Sequence, residues 1–158
     1  MKVKIISFSL WGNDYSYWNG LIENIISAEY LYPNWQVVSF IDKYSIQNIY
    51  KNNRDLLNKL FQSKTNIFIL DQPQSYTGMF WRFLPIFWNN VGPVIIRDCD
   101  SLITKRETEA VNEWLLSNKT LHIMRDHPAH EKSIMGGMFG VMSNKAKNSF
   151  EPIIKILR

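Results

Sequence analysis

The chain has 158 residues with 18 Lys or Arg against 14 Asp or Glu, a net charge of +4. Its hydrophobic fraction of 46% and charged fraction of 20% exclude a disordered, collagen-like or disulfide-framed chain. The length supports one domain, 1–158, built on one core. Cys99 is the one cysteine and cannot form an internal disulfide, so nothing argues for an oxidising compartment. Aromatic residues reach 14%, enough to fill a core and to offer flat surfaces to bases or sugars.

The basic balance is spread evenly. Residues 1–91 hold 8 basic and 6 acidic groups, and residues 92–158 hold 10 and 8. With no basic arm or run, a nucleic-acid partner is not expected, whereas a small anionic ligand such as a nucleotide fits. No stretch approaches the ~20 apolar residues of a membrane span. The opening MKVKIISFSLWG has Lys2 and Lys4 before an apolar stretch, but Ser7 and Ser9 interrupt it and no cleavage site follows. It reads as a first strand, and a soluble cytoplasmic protein is the expectation.

Strands and helices then alternate. Lys2–Leu10 is strand-like and ends in Trp11-Gly12-Asn13-Asp14, a turn with a helix cap. Trp18, Leu21, Ile22, Ile25, Ile26 and Tyr30 recur at helical spacing, and Pro33 closes that segment. Trp35–Ile41 reads as a second strand, Ile46–Phe61 as a helix broken near Asn52-Asn53, and Ile67–Leu70 as a third strand. Thr77–Trp88 is predicted to be an aromatic helix that Pro85 kinks or ends. Val94-Ile95-Ile96 forms a buried strand running into Arg97-Asp98-Cys99-Asp100. After it, Thr104 and Glu107 have the spacing of a capping box. Thr120–Arg125 and Met138–Met142 give a fifth and sixth strand, and a closing helix begins at Lys145.

This alternation predicts an α/β fold: an open, mostly parallel sheet of about six strands with helices on both faces. Ligands of such sheets bind beyond the carboxyl ends of the strands, which singles out Trp11-Gly12, Asp42, Asp71, Asp98-Cys99-Asp100 and Asp126-His127. Asp42 and Asp71 are equally well explained as turn formers. Asp98 and Asp100 are the sharpest pair. In extended backbone, residues two apart project to the same side, so both carboxylates would face one point. Two converging oxygen anions suit a hard divalent cation, Mn²⁺ or Mg²⁺, and alternation would turn Arg97 the other way. Asp-x-Asp alone is a common pattern, and an acidic turn is its plain competitor.

Context adds to it. Met79-Phe80-Trp81-Arg82-Phe83-Leu84-Pro85, then Val94 to Ser101, then His122 to Pro128 and Gly136-Gly137-Met138-Phe139-Gly140, together resemble nucleotide-sugar glycosyltransferases of the GT-A fold. The combination is similar to small glycosyltransferases encoded by large DNA viruses of algae and by some bacteria, over most of the chain. The resemblance implies that Asp98 and Asp100 bind Mn²⁺ or Mg²⁺ and the diphosphate of the donor. It implies that Arg82, sixteen residues before Asp98, reaches the donor sugar. Ser9, Leu10, Trp11 and Gly12 would hold the uracil and ribose of a UDP-sugar, with Asp42 counted among the donor-binding residues. Gly136 and Gly137 would let backbone approach the hexose. The acceptor would be the hydroxyl of a glycan or glycoprotein, and the arginine element leans towards retention of configuration. Transferases of this fold are usually longer than this chain, so the resemblance leaves open a compact domain or part of a longer product.

Each assignment has a plainer competitor: Arg82 as a surface helix residue, Trp11 as core, the glycine pair as a turn. His127-Pro128-Ala129-His130 lacks a cysteine partner, and Pro128 argues against the regular helix a zinc pair needs. Asp126 and His127 are expected beside the acceptor or donor sugar, where either could serve as a base. Two rivals to a transferase stand at this stage. One is a nucleotide-sugar-binding module without catalysis. The other is a phosphatase of the haloacid dehalogenase type, which needs Thr or Val where Leu102 stands and its motif near the first strand.

Overall fold

The computed structural model describes residues 2–71, 76–125, 136–146, 148 and 149. Six strands, β1 (Val3–Leu10), β2 (Gln36–Asp42), β3 (Asn66–Leu70), β4 (Val91–Arg97), β5 (Leu121–Ile123) and β6 (Met138–Met142), form one sheet in the order β3-β2-β1-β4-β6-β5. The pairs β3/β2, β2/β1 and β1/β4 are parallel, whereas β6 runs antiparallel to both β4 and β5. The sheet is therefore mixed, and the α/β expectation of six strands holds.

The α-helices α1 (Tyr15–Leu31), α2 (Lys43–Asn52), α3 (Arg54–Gln62) and α4 (Lys105–Ser117) pack their apolar stripes on one face. The core there runs from Ile6, Phe8 and Leu10 of β1 through Trp18, Leu21 and Ile25 to Leu56, Leu57, Val111 and Trp114. On the opposite face Ile5, Val38, Phe40, Val94 and Ile96 meet Trp81, Phe83 and Ile86, with Ala146 beside them. Residues alternate between these faces along β1, the signature of a strand covered on both sides.

Several local expectations are corrected. Tyr76–Phe87 winds as successive 3₁₀ turns, not as an α-helix, and Pro85 lies inside it. Tight turns need fewer i to i−4 bonds for Pro85 to interrupt, and burial of Trp81, Phe83 and Ile86 outweighs their poorer geometry. The buried stripe of α1 is Trp18, Leu21, Ile22, Asn24, Ile25 and Ala28; Ile26 and Tyr30 face solvent. Thr104 does cap α4, accepting from the Glu107 amide at 3.2 Å, but the Glu107 carboxylate is taken by Arg97 instead of reaching back. The break at Asn53 is a real one: Asn53 ends α2 and its side chain caps α3 through the Leu56 amide.

Candidate functional site

In the strand order, β1 connects outward to β2 on one side, while β4 lies on its other side. The chain thus reverses direction of growth between β1 and β4, and such a switch point leaves a crevice at the carboxyl ends of the two strands. A cavity of about 410 Å³ lies there. Ser9, Leu10, Trp11 and Gly12 line it from the end of β1, Asp98, Cys99 and Asp100 from the end of β4, and Met79 and Arg82 from the 3₁₀ segment. Asn13, Asp14 and Tyr17, at the start of α1, complete its wall.

The β1–α1 turn is held from three directions. Gly12 has φ +88°, a backbone conformation that L side chains rarely adopt. Its amide donates to Ser45 Oγ (2.6 Å) and its carbonyl accepts from Trp18 Nε1 (3.0 Å). Asp14 caps α1, accepting from the Ser16 hydroxyl (2.7 Å) and amide (2.9 Å), and these bonds hold its carboxyl below the usual range. The Trp11 indole is half-buried against Gly78, where a Cβ would sit 3.0 Å from the ring. Glycine there makes room for the ring at the cavity wall.

The turn after β4 is fixed from α1. Asn24, buried on α1, donates to the carbonyls of Cys99 (3.3 Å) and Ser101 (3.2 Å) and accepts from the Ile103 amide (2.8 Å). Gly20 permits this approach, because a Cβ there would run into the Cys99 carbonyl. Cys99 points inward, its thiol towards the Ser9 carbonyl at 3.5 Å, and burial pushes its pKa to about 12, so it is an inert packing residue.

Asp98 and Asp100 both reach the cavity, but not by strand alternation: β4 ends at Arg97 and both lie in the turn beyond. Arg97 faces away, as expected, and is buried in an ion pair with Glu107 (Nε to Oε1, 2.5 Å). Asp98 is paired with Arg82 Nη1, which also donates to the Arg97 carbonyl (3.3 Å). Arg82 is therefore a buried site residue and not a surface one. Gly136 and Gly137 close the same spot: a Cβ on Gly136 would stand 3.1 Å from Arg82 Nη2, and one on Gly137 would fall on the Asp98 carboxylate. The Tyr17 hydroxyl faces Asp100, whose charge is the largest cause of its raised pKa, with desolvation and Asp14 following.

Asp42 is not at the cavity. Fully buried, its Oδ1 accepts from the Ser45 amide (2.8 Å) to cap α2, and through Ser45 it steadies Gly12. Asp71, exposed, pairs with Lys43 at 2.8 Å. His122 stacks on Trp114 with ring centroids 5.5 Å apart, a structural position. Asp126, His127 and His130 lie outside the described residues. Sequence reasoning missed Asp14 and Tyr17 as wall residues. Asp14 had a signal in its place at the carboxyl edge after β1; Tyr17 had none, being off the apolar stripe.

Whether a divalent cation fits can be judged from charge. Asp14, Asp98 and Asp100 line the cavity against the single guanidinium of Arg82 among the described residues. An anionic diphosphate would be repelled there without a further cation. The donor set of carboxylate oxygens suits Mn²⁺ or Mg²⁺. Among the described residues no group of three or more His, Cys, Asp or Glu is placed to hold a metal ion, so a cation at Asp98 and Asp100 would need oxygens of a ligand as well. The residues present fit a cation shared with a diphosphate.

No protein-family model matches the chain, and no curated protein matches it in sequence. Solved structures do match in shape. One is the mannosyltransferase PcManGT of Pyrobaculum calidifontis in complex with GDP-Man and Mn²⁺, at 13% identity and a TM-score of 0.58. That match covers 94% of this chain but only 46% of the neighbour, so the chain spans about half its length. Another is 4-diphosphocytidyl-2C-methyl-D-erythritol synthase of Anaerococcus prevotii, at 10% identity and a TM-score of 0.59, covering 98% of this chain and 77% of that one. At these identities the likeness is one of fold: a mixed six-stranded, Rossmann-like α/β sheet of the GT-A-like kind. No helix among the described residues is long and apolar enough to cross a membrane.

Proposed function

We propose that the chain is a metal-dependent glycosyltransferase that moves a sugar from a nucleoside diphosphate-sugar to an acceptor hydroxyl. The carrying observation is the meeting of Asp98, Asp100 and Arg82 with the end of β1 in one cavity at the β1/β4 switch point. Asp98 and Asp100 would hold Mn²⁺ or Mg²⁺ together with diphosphate oxygens. When bound, the cation neutralises charge that builds on the departing diphosphate. Trp11 offers a flat ring to the nucleobase, and the Ser9–Gly12 backbone borders the nucleoside. Gly136 and Gly137 let backbone pack directly on Arg82 and Asp98, and the sequence resemblance puts the donor sugar beside them. Asp126 and His127 remain the base candidates on the acceptor side. A UDP-linked hexose, a glycan or glycoprotein acceptor and retention of configuration follow from the sequence resemblance, as does the narrower kinship to small viral and bacterial transferases. PcManGT in complex with GDP-Man makes GDP-hexoses the second donor class to screen.

The test is release of nucleoside diphosphate from UDP- and GDP-hexoses with Mn²⁺ present or chelated. Release that needs the cation and falls ~10²-fold or more in Asp100→Ala supports the reading. Binding of the donor with no release under any condition makes the chain a binding module. A second reading, nucleotidyl transfer, is favoured by the fuller coverage of the second neighbour. It predicts pyrophosphate from a nucleoside triphosphate and a sugar phosphate or alcohol phosphate.

A further inference from the structure

Asp98 enters the cavity already engaged. Its Oδ1 is taken by Arg82 Nη1, and its other oxygen lies where a Cβ on Gly137 would fall. The guanidinium is not fully partnered in turn: the Arg82 side chain is 9% exposed, and its buried Nε has no hydrogen-bond partner among the described residues. A divalent cation approaching Asp98 therefore meets a carboxylate already neutralised by a neighbouring positive charge. It can bind fully only if Arg82 gives way, and a buried guanidinium gives way only to another anion. A diphosphate arriving alone meets the opposite obstacle, the carboxylates of Asp14, Asp98 and Asp100.

We propose that Arg82 is an exchangeable counter-ion. It holds Asp98 while the site is empty, competes with the divalent cation for that carboxylate, and passes to the diphosphate oxygens when cation and nucleotide arrive together. Its planar fork suits phosphate as well as carboxylate, so the exchange preserves charge-assisted hydrogen bonding. Each ligand removes the obstacle facing the other, and the two bind as a positively coupled pair. Asp100, which faces the Tyr17 hydroxyl and is paired with no guanidinium among the described residues, is the carboxylate open to the cation first. This inference rests on the reading of Asp98 and Asp100 as the cation site.

Mn²⁺ binding to the full chain, followed by electron paramagnetic resonance with and without UDP or GDP, tests it against a protein-free nucleotide titration. Wild type is expected to bind Mn²⁺ about ten-fold more tightly with nucleotide than without. Arg82→Gln is expected to bind Mn²⁺ alone about ten-fold more tightly than wild type and to lose most of the nucleotide gain. Unchanged or weaker binding of Mn²⁺ alone by Arg82→Gln overturns the exchange while leaving the cation site in place. Absence of Mn²⁺ binding by wild type even with nucleotide overturns the cation site, and the exchange with it. If Arg82→Gln fails to fold, phenylglyoxal labelling of wild-type Arg82, read by peptide mass, decides. Faster labelling with Mn²⁺ and renewed protection with nucleotide support the exchange, and a rate indifferent to Mn²⁺ overturns it.

Discussion

Arg97 and Glu107 meet behind the strand end that carries Asp98, Nε to Oε1 at 2.5 Å, with both side chains at most 5% exposed. Arg97 Nη1 also donates to the carbonyls of Ile96 (2.7 Å) and Phe139 (3.0 Å), so this guanidinium ties β4, β6 and α4 into one unit. Removing one partner of such a pair leaves the other charge buried and uncompensated. Glu107→Ala is expected to cost about 3–5 kcal/mol, read as a fall in urea midpoint, with Glu107→Gln recovering part of it. A loss under 1 kcal/mol (about five-fold in equilibrium constant) would show that the pair does not anchor the strand end.

Gly137 is a place where a single methyl group separates binding from folding. The Gly137→Ala side chain would press on the Asp98 carboxylate from the buried side. Binding of Mn²⁺ with nucleotide is expected to drop ~10-fold or more, while the melting temperature shifts by only a few degrees. Calorimetric titration beside a melting curve checks both. Equal losses in the two would mean a general packing defect.

Asn24 makes its three contacts to the turn after β4 from within α1, one helical stretch beyond the Tyr17 hydroxyl that faces Asp100. Asn24→Leu keeps the branched heavy-atom shape but leaves the Ile103 amide and two carbonyls unmet. The expected cost is about 2–3 kcal/mol by denaturant unfolding. Because the turn bears Asp100, nucleotide-dependent Mn²⁺ binding should weaken as well. A variant with full stability and intact binding would remove Asn24 from the site's support.

His122 supplies a pH signature. Burial first, and Arg97 second, lower its pKa from 6.5 to about 4. Between those values the unfolded chain binds a proton that the folded chain refuses. Stability is therefore full above pH 6.5 and falls as pH drops towards 4, by roughly 1–2 kcal/mol after allowance for partial exposure. His122→Gln should flatten this part of the stability curve. A slope between pH 6.5 and 4 that survives the substitution would place the titration elsewhere.

Much of this architecture was legible because it rests on patterns that burial enforces locally. The runs at Lys2–Leu10 and Val94–Ile96 and the caps at Asp14 and Thr104 are each written within a few residues. What escaped depends on the far side of the fold. Glu107 has the spacing of a capping partner, and only the packing of α4 against β4 delivers Arg97 to it. Tyr76–Phe87 has helical periodicity, yet the choice of 3₁₀ turns is made by the sheet it covers. Asp42 and Asp98 look alike as strand-end aspartates, but strand order puts one under a helix cap and the other at the switch point. Asp98 and Asp100 share a cavity for a reason other than the one alternation suggests, since a turn clamped by Asn24 brings them there.

The direction of β6 decides which of its ends stands beside Asp98. Met138 pairs with Arg97, so a strand running counter to its neighbour delivers its beginning to the ligand-facing rim. The Met124 amide bonds to the Met138 carbonyl (3.0 Å), which brings the exit of β5 to that rim too. A strand entry and a strand exit at that rim are thus held by one β4–β6–β5 ladder, and the glycine backbone packed on Asp98 is positioned by the sheet itself.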